Sequence, residues 1–175
     1  GRSTSPYKAN QHANARTRNV VRSINREDVA FTIHLGDIVN PLPGSPGYAP
    51  ACAAFTTIAS ELRSRLHLVP GNHDVGDKIL AWSPAPQIDE AGLASYRQHL
   101  APEHYSAFDH DDCHFVILNA QLLGSGLADE ERQRRWFETD LDQHAGKRIF
   151  VSLHYPPFLE HAEEPATYDN LNPVP

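Results

Sequence analysis

Three short apolar stretches of the sequence each end in a polar side chain of a type that binds metal ions. The three side chains and the stretches before them are Asp37 after 29–35, Asn72 after 66–69, and His154 after 148–153. Carboxylate, amide and imidazole ligands together suit manganese, iron or zinc better than metals that prefer thiolates. Because sites in α/β folds form beyond the carboxyl ends of strands, we expect these side chains to share one cleft at the edge of one sheet.

Each of these residues also has an ordinary structural interpretation. Asp37 after a glycine is typical of a turn or a helix cap, Asn72 of a turn, and His154 of a hydrogen-bonded histidine. The run Gly71-Asn72-His73-Asp74 is more specific, because a turn after an apolar strand rarely needs this combination. The fixed order of the three motifs along the chain favours a metal site.

Composition limits the class of protein. The chain has 175 residues, 40% of them hydrophobic, and a formal net charge of -7. These values suit one domain over 1–175, and they argue against a general affinity for nucleic acid or for anionic lipid. No apolar run reaches the ~18–20 residues that cross a bilayer. A small anionic substrate stays possible, because bound metal ions can invert the local field.

The two cysteines do not suggest a structural site. Cys52 lies in an alanine-rich, helix-like run and Cys113 at the start of a strand-like run, so we expect two small buried apolar residues. Their number cannot form a disulfide framework, and their spacing does not suit a thiolate zinc site.

The pattern of apolar residues alternates between strand-like and helix-like pieces. Helices are predicted over 13–27, 51–64, 88–100 and 128–144, and strands over 29–35, 66–69, 105–109, 113–119 and 148–153. Asp111-Asp112 predicts a hairpin turn, and the proline-rich segment 41–50 predicts a loop. Alternating elements of this kind predict the α/β class.

The motifs resemble those of the calcineurin-like metallophosphoesterase superfamily, in a bacterial branch of predicted phosphohydrolases. The matching residues are Gly36-Asp37, the run Gly71–Asp74, and Leu153-His154-Tyr155-Pro156. The resemblance covers essentially the whole chain as the middle portion of that domain. It implies a four-layer α/β/β/α sandwich with two mixed sheets, incomplete at both ends.

The resemblance also implies a role for each motif residue. Asp37 would bridge two divalent metal ions, and Asn72 and His154 would bind the second of them. His73 would contact the phosphoryl group, and Asp74 would orient His73 through a hydrogen bond. The implied reaction is hydrolysis of a phosphomonoester or phosphodiester by a hydroxide held between two metals, with a small phosphorylated molecule as substrate.

The sequence departs from the family pattern at both ends. No Asp-x-His motif precedes Gly36-Asp37 and no Gly-His-x-His motif follows His154, whereas the acidic stretch around Asp109–Asp112 is out of order and indicates a hairpin; the chain contains no methionine. We therefore expect a fragment that binds metals poorly as given, which could leave it inactive, from a protein that we expect to be cytoplasmic. The alternative is a non-catalytic binding module on a degenerate site, although the intact His73 argues against it. A nuclease is disfavoured by the acidic balance.

Other residues near the motifs have less specific interpretations. His34 and His67 each precede a motif, and we expect hydrogen-bonded core histidines rather than metal ligands. Lys78 and Trp82 follow the run Gly71–Asp74, where they could line a substrate pocket or belong to ordinary loop packing.

Overall fold

The computed structural model describes residues 8–83 and 85–171, and its strands form two sheets. The first sheet pairs β1 (Phe31–His34) with β2 (Arg65–Leu68), and the second contains β3 (Ser106–His110), β4 (Cys113–Ile117) and β5 (Arg148–Ser152). β1 and β2 are parallel, β3 and β4 are antiparallel, and β4 and β5 are parallel. The predicted α/β fold with two sheets is confirmed. The expectation that the three motif strands share one sheet is wrong, since β5 lies in the second sheet.

Five α-helices surround the strands in the described part of the chain. They are α1 (Ala13–Ile24), α2 (Tyr48–Ala59), α3 (Asn72–Val75), α4 (Glu90–His99) and α5 (Ala128–Gln143). Four match predicted helices, whereas the one-turn helix α3 was not predicted. α2 begins inside the segment interpreted as a loop, because Pro50 occupies its third position, where a helix needs no backbone N–H. None of the described helices is long and apolar enough to span a bilayer.

Aromatic rings fill the space between the two sheets. The ring of Phe31 on β1 lies 5.0 Å from that of Phe108 and 4.8 Å from that of Phe115, measured between centroids. His67 on β2 stacks on Phe108 with a centroid distance of 3.6 Å. The two sheets therefore pack face to face, which brings the ends of strands from both sheets to one edge.

Two histidines inside the fold differ from expectation. His34 Nδ1 and His67 Nε2 are buried and have no hydrogen-bond partner among the described residues, so the prediction of fully hydrogen-bonded rings is wrong. Burial lowers the pKa of both rings, which keeps them neutral. The prediction for the cysteines is confirmed for Cys52, which is buried, whereas Cys113 is partly exposed; both are free thiols.

The main hydrophobic core lies between α2, α4 and the loops that follow β1 and β2. Leu93 and Tyr96 on α4 are fully buried, and they belong to the same cluster as Ile38 and Val39. Ile38 and Val39 directly follow Asp37 in the chain. Packing in this core therefore fixes the position of the loop after β1.

Leu93→Ala tests the assignment of this hydrophobic core. Removing a fully buried leucine side chain should lower the free energy of unfolding by about 2–5 kcal/mol, because contacts are lost and a cavity is left. Urea denaturation followed by circular dichroism measures the change. Val29→Ala is the control, since Val29 is 40% exposed. An equal effect of the two substitutions would contradict the assignment of the core.

Candidate metal centre

The loops after β1, β2 and β5 meet at one edge of the molecule. His154 Nε2 lies 3.2 Å from Asn72 Oδ1 and 3.5 Å from Asp37 Oδ1. Asn72 is buried, the His154 side chain is 17% exposed, and that of Asp37 is 42% exposed. The structure thus brings together the three residues that the sequence singled out, in a group that we call the strand-end site.

The tautomer of His154 determines what the strand-end site can bind. His154 Nδ1 lies 2.8 Å from the carbonyl oxygen of Leu35, and a carbonyl can only accept, so Nδ1 carries a proton. In the neutral ring, Nε2 then presents a lone pair towards the side-chain oxygens of Asn72 and Asp37. Three acceptor atoms facing one another repel unless a cation or a proton lies between them. The donor set therefore fits a divalent metal ion.

Close approach of the three loops depends on two glycines. A Cβ atom on Gly36, whose φ is +96°, would lie 2.5 Å from His154 Nδ1. A Cβ atom on Gly71 would lie 2.5 Å from Asp37 Oδ1 and closer still to the Asp37 backbone nitrogen. Asp37 itself has a φ of +52°, a left-handed conformation that aspartate tolerates better than most residues. Positive φ angles and residues without a Cβ atom are therefore found where the loops after β1 and β2 approach each other and His154.

Asp74 has a different role from the predicted one. Its buried carboxylate accepts hydrogen bonds from the backbone N–H groups of Gly71 at 2.8 Å, Ile38 at 2.9 Å and Val39 at 3.3 Å. The expected hydrogen bond to His73 is not formed, because these backbone donors take up the carboxylate. Burial raises the pKa of Asp74 to about 7, and the hydrogen bonds from Gly71 and Ile38 act in the opposite direction. Asp74 joins the loop after β1 to the loop after β2.

His73 is oriented by the main chain instead. Its backbone N–H donates to Asp37 Oδ1 at 3.1 Å, and its ring Nδ1 lies 2.6 Å from the carbonyl oxygen of Asn40. Since that carbonyl can only accept, Nδ1 is protonated and Nε2 is the ring atom left for other partners. His73 is half-buried, so its ring stands beside Asp37 within reach of a molecule in the cleft.

The order of the motifs, their geometry and the two-sheet fold agree with one known family. A family model described as calcineurin-like phosphoesterase matches residues 11–173, which is most of the chain. The chain belongs to this family. Among curated proteins, none matches it at a significant level. Members of the family hydrolyse phosphoesters with divalent metals, and the ligand types of the strand-end site suit such ions.

Two residues that the sequence did not single out hold Asn72 in this member of the family. Tyr168 Oη lies 3.3 Å from Asn72 Nδ2, so it accepts from the amide nitrogen and leaves the amide oxygen towards His154. Gln121 is fully buried, and in the amide orientation that satisfies both of its polar atoms it accepts from Asn72 N at 3.0 Å and donates to Pro70 O. The only sequence signal for Gln121 is the Asn-Ala-Gln-Leu-Leu segment, and nothing in the irregular C-terminal segment indicated Tyr168.

A buried lysine ties the segment that carries Tyr168 to the loop that follows α3. Lys78 Nζ donates to the carbonyl oxygens of Thr167, at 2.9 Å, and Asn170, and it lies 4.1 Å from the ring centroid of Tyr155. Lys78 is only 2% exposed, so it is a structural cation rather than part of a substrate pocket. Trp82, by contrast, is 74% exposed.

Asp37 of the strand-end site also lines a groove. The groove has a volume of about 480 Å³ and is lined by residues of α1, β1 and α2 together with Asp37, Asn40 and His73. The remaining lining is mostly apolar. The ring of His73 and the carboxylate of Asp37 are therefore reachable from this side of the phosphoesterase domain.

Gly71→Ala tests the requirement for close loop approach. The added Cβ would lie closer than 3.0 Å to the backbone of Asp37, so one loop must move. We expect a loss of about 1–3 kcal/mol in the free energy of unfolding, as for other overpacked sites. Urea denaturation measures the loss, and imidazole ¹⁵N spectra should show a change at His154.

Gly146→Ala is the matched control, because nothing lies within 4 Å of the position of its Cβ. Equal stabilities of the two variants would show that the loops do not depend on Gly71.

Proposed function

We propose that this chain carries the central part of the active site of a metal-dependent phosphohydrolase that acts on a phosphomonoester or a phosphodiester. The observation that supports it best is the convergence of Asp37, Asn72 and His154 through acceptor atoms only, with His73 beside them. Membership of the calcineurin-like phosphoesterase family supports the reaction type.

The strand-end residues would hold two divalent ions of manganese, iron or zinc. Asp37 would be shared between the two ions, whereas Asn72 Oδ1 and His154 Nε2 would bind one of them. When bound, such ions polarise the phosphoryl group and supply a nucleophile near neutral pH. The neutral amide of Asn72 adds no negative charge, so the loaded site keeps a positive field that attracts the phosphate.

His73 would act on the phosphoryl group directly. Its Nδ1–H is held by the Asn40 carbonyl, so in the imidazolium form its Nε2–H is free to donate to a phosphoryl oxygen. The same proton can pass to the leaving alkoxide as the bond between phosphorus and oxygen breaks. Its backbone N–H to Asp37 keeps the ring next to the metal ligand. His73 is thus the proposed general acid, and Asp74 does not hydrogen-bond to its ring.

The test is the phosphoesterase activity of the natural protein. With manganese added, we expect metal-dependent turnover of para-nitrophenyl phosphate or of its diester. His73→Ala should lower kcat by about 10²–10⁴-fold with little change in metal affinity, because the ring is not a ligand. Asp37→Asn should lose manganese binding at the strand-end site, and activity with it.

His161→Ala is the control for histidine loss, since its side chain is 62% exposed. Retained metal binding without turnover on any phosphoester would refute the catalytic proposal and favour a binding module. Full activity of His73→Ala would refute its proposed role.

Tyr168→Phe tests how Asn72 is positioned. The substitution removes the acceptor of Asn72 Nδ2 and leaves the ring in place, so the amide should lose its fixed orientation. We expect metal affinity to fall by about tenfold, the lower end for loss of a residue that supports a ligand. Isothermal titration with manganese measures the change.

Tyr105→Phe is the matched control, because Tyr105 packs against Trp136. If both variants bind manganese equally well, Tyr168 does not position Asn72.

A further inference from the structure

A second group of metal-binding side chains lies at the other end of the second sheet. Asp109 on β3 and His114 on β4 are paired across the hairpin. Asp140 and His144 lie one turn apart at the end of α5, and the ring of His144 stacks on that of His114 at 3.7 Å between centroids. We call these four residues the hairpin–helix cluster.

The hydrogen bonds of Asp140 fix both histidine rings. Its carboxylate Oδ2 lies 2.7 Å from His114 Nε2, and its backbone carbonyl oxygen lies 2.8 Å from His144 Nδ1. Both oxygens accept, so these two ring nitrogens carry protons. His114 Nδ1 and His144 Nε2 are the ring nitrogens that do not face Asp140.

The position between His114 Nδ1 and Asp109 needs a proton or a cation, because a ring lone pair and a carboxylate oxygen would repel each other. His114 Nδ1 lies 2.7 Å from Asp109 Oδ1, while its other nitrogen faces Asp140. Burial alone would lower the pKa of His114, but the two carboxylates outweigh it and the pKa is raised. His114 thus lies between two carboxylates, a position that favours positive charge.

We propose that Asp109, His114 and His144 form a binding site for a divalent transition metal, with Zn²⁺ as the best fit. One ligand atom from each residue lies within 4.8 Å of the others. Tetrahedral zinc with bonds of ~2.0–2.1 Å needs about 3.3 Å between ligand atoms, so the ligand atoms must approach by up to about 1.5 Å. Because the rings of His114 and His144 are stacked at 9°, the ring of His144 must also tilt out of the stack, which its position after the last residue of α5 allows.

The chemistry of the cluster favours zinc over magnesium or calcium. Two imidazoles and one carboxylate are typical zinc ligands, whereas the other two ions prefer sites made of oxygens. Asp140 would accept a hydrogen bond from His114 Nε2, the ring nitrogen that does not face the metal. This carboxylate–histidine–metal arrangement raises the affinity of the site for the metal. Binding replaces the proton on His114 Nδ1, so about one proton is released per zinc near neutral pH. Lys147 Nζ lies 2.6 Å from Asp109 Oδ2, the carboxylate oxygen that does not face His114.

The hairpin–helix cluster is separate from the strand-end site. Lys147 directly precedes β5, whereas His154 lies beyond its far end. At about 3.3 Å per residue, β5 alone spans roughly 15 Å. Zinc bound in the cluster would join the β3–β4 hairpin to the end of α5, and it would not need the catalytic ligands.

The experiment measures zinc binding to the full chain with the strand-end site disabled by Asp37→Asn and His154→Gln. We expect about one equivalent of zinc by equilibrium dialysis, and imidazole ¹⁵N spectra should show metal coordination at His114 Nδ1. Calorimetry in buffers of different ionisation enthalpy should report the released proton. Adding Asp109→Asn and His144→Gln should lower zinc affinity at least about tenfold.

His110→Gln is the matched control, because His110 lies in the same hairpin and its side chain is 45% exposed. It should bind zinc like the disabled parent. His114 itself is left intact, since it is buried and its loss could unfold the hairpin. Absence of zinc binding at micromolar zinc in the folded, disabled protein would overturn the proposal. So would an affinity that the Asp109 and His144 substitutions leave unchanged.

Discussion

The candidate active site depends on a buried carboxylate that is used for structure rather than for catalysis. Asp74 is fully buried, and backbone N–H groups from two loops converge on it: Gly71 from the loop after β2, and Ile38 and Val39 from the loop after β1. A buried charge without partners is costly, so the folded state that satisfies Asp74 is also the one that joins the loops. Tyr48 adds a hydrogen bond to the Asp74 carbonyl oxygen at 2.6 Å.

The other side of Asn72 is held by a chain of buried amides that begins in α5. Gln133 accepts from the backbone N–H of Asn119 at 2.8 Å and donates to its carbonyl oxygen at 3.1 Å. Asn119 in turn contacts Gln121, which supports the backbone of Asn72. These side chains are buried and paired with one another, as buried amides must be. The second sheet and α5 thus stabilise a loop of the first sheet.

The sequence was sufficient to predict the strands, four of the five α-helices in the described part of the chain, and the convergence of Asp37, Asn72 and His154. Each of these depends on the local residue pattern or on where a strand ends. It was not sufficient for Asp74, since the type and spacing of a residue do not reveal which backbone donors will surround it. Contacts such as that between Asn72 and Tyr168 join residues far apart in sequence, so no local pattern signals them. The division of the motif strands between two sheets likewise depends on packing between Phe31 and Phe108.

The loop after β1 acts as the template for the whole strand-end site. Within six residues, its backbone carbonyls at Leu35 and Asn40 set the tautomers of His154 and His73. Its carboxylate at Asp37 accepts from His73, and the next two N–H groups bind Asp74. The chain turns sharply at residues 36 and 37, both of which have a positive φ. This turn lets one short loop present carbonyl, carboxylate and N–H groups to His154, His73 and Asp74. The strained turn at residues 36 and 37 is therefore the condition under which three separate loops meet at the strand-end site.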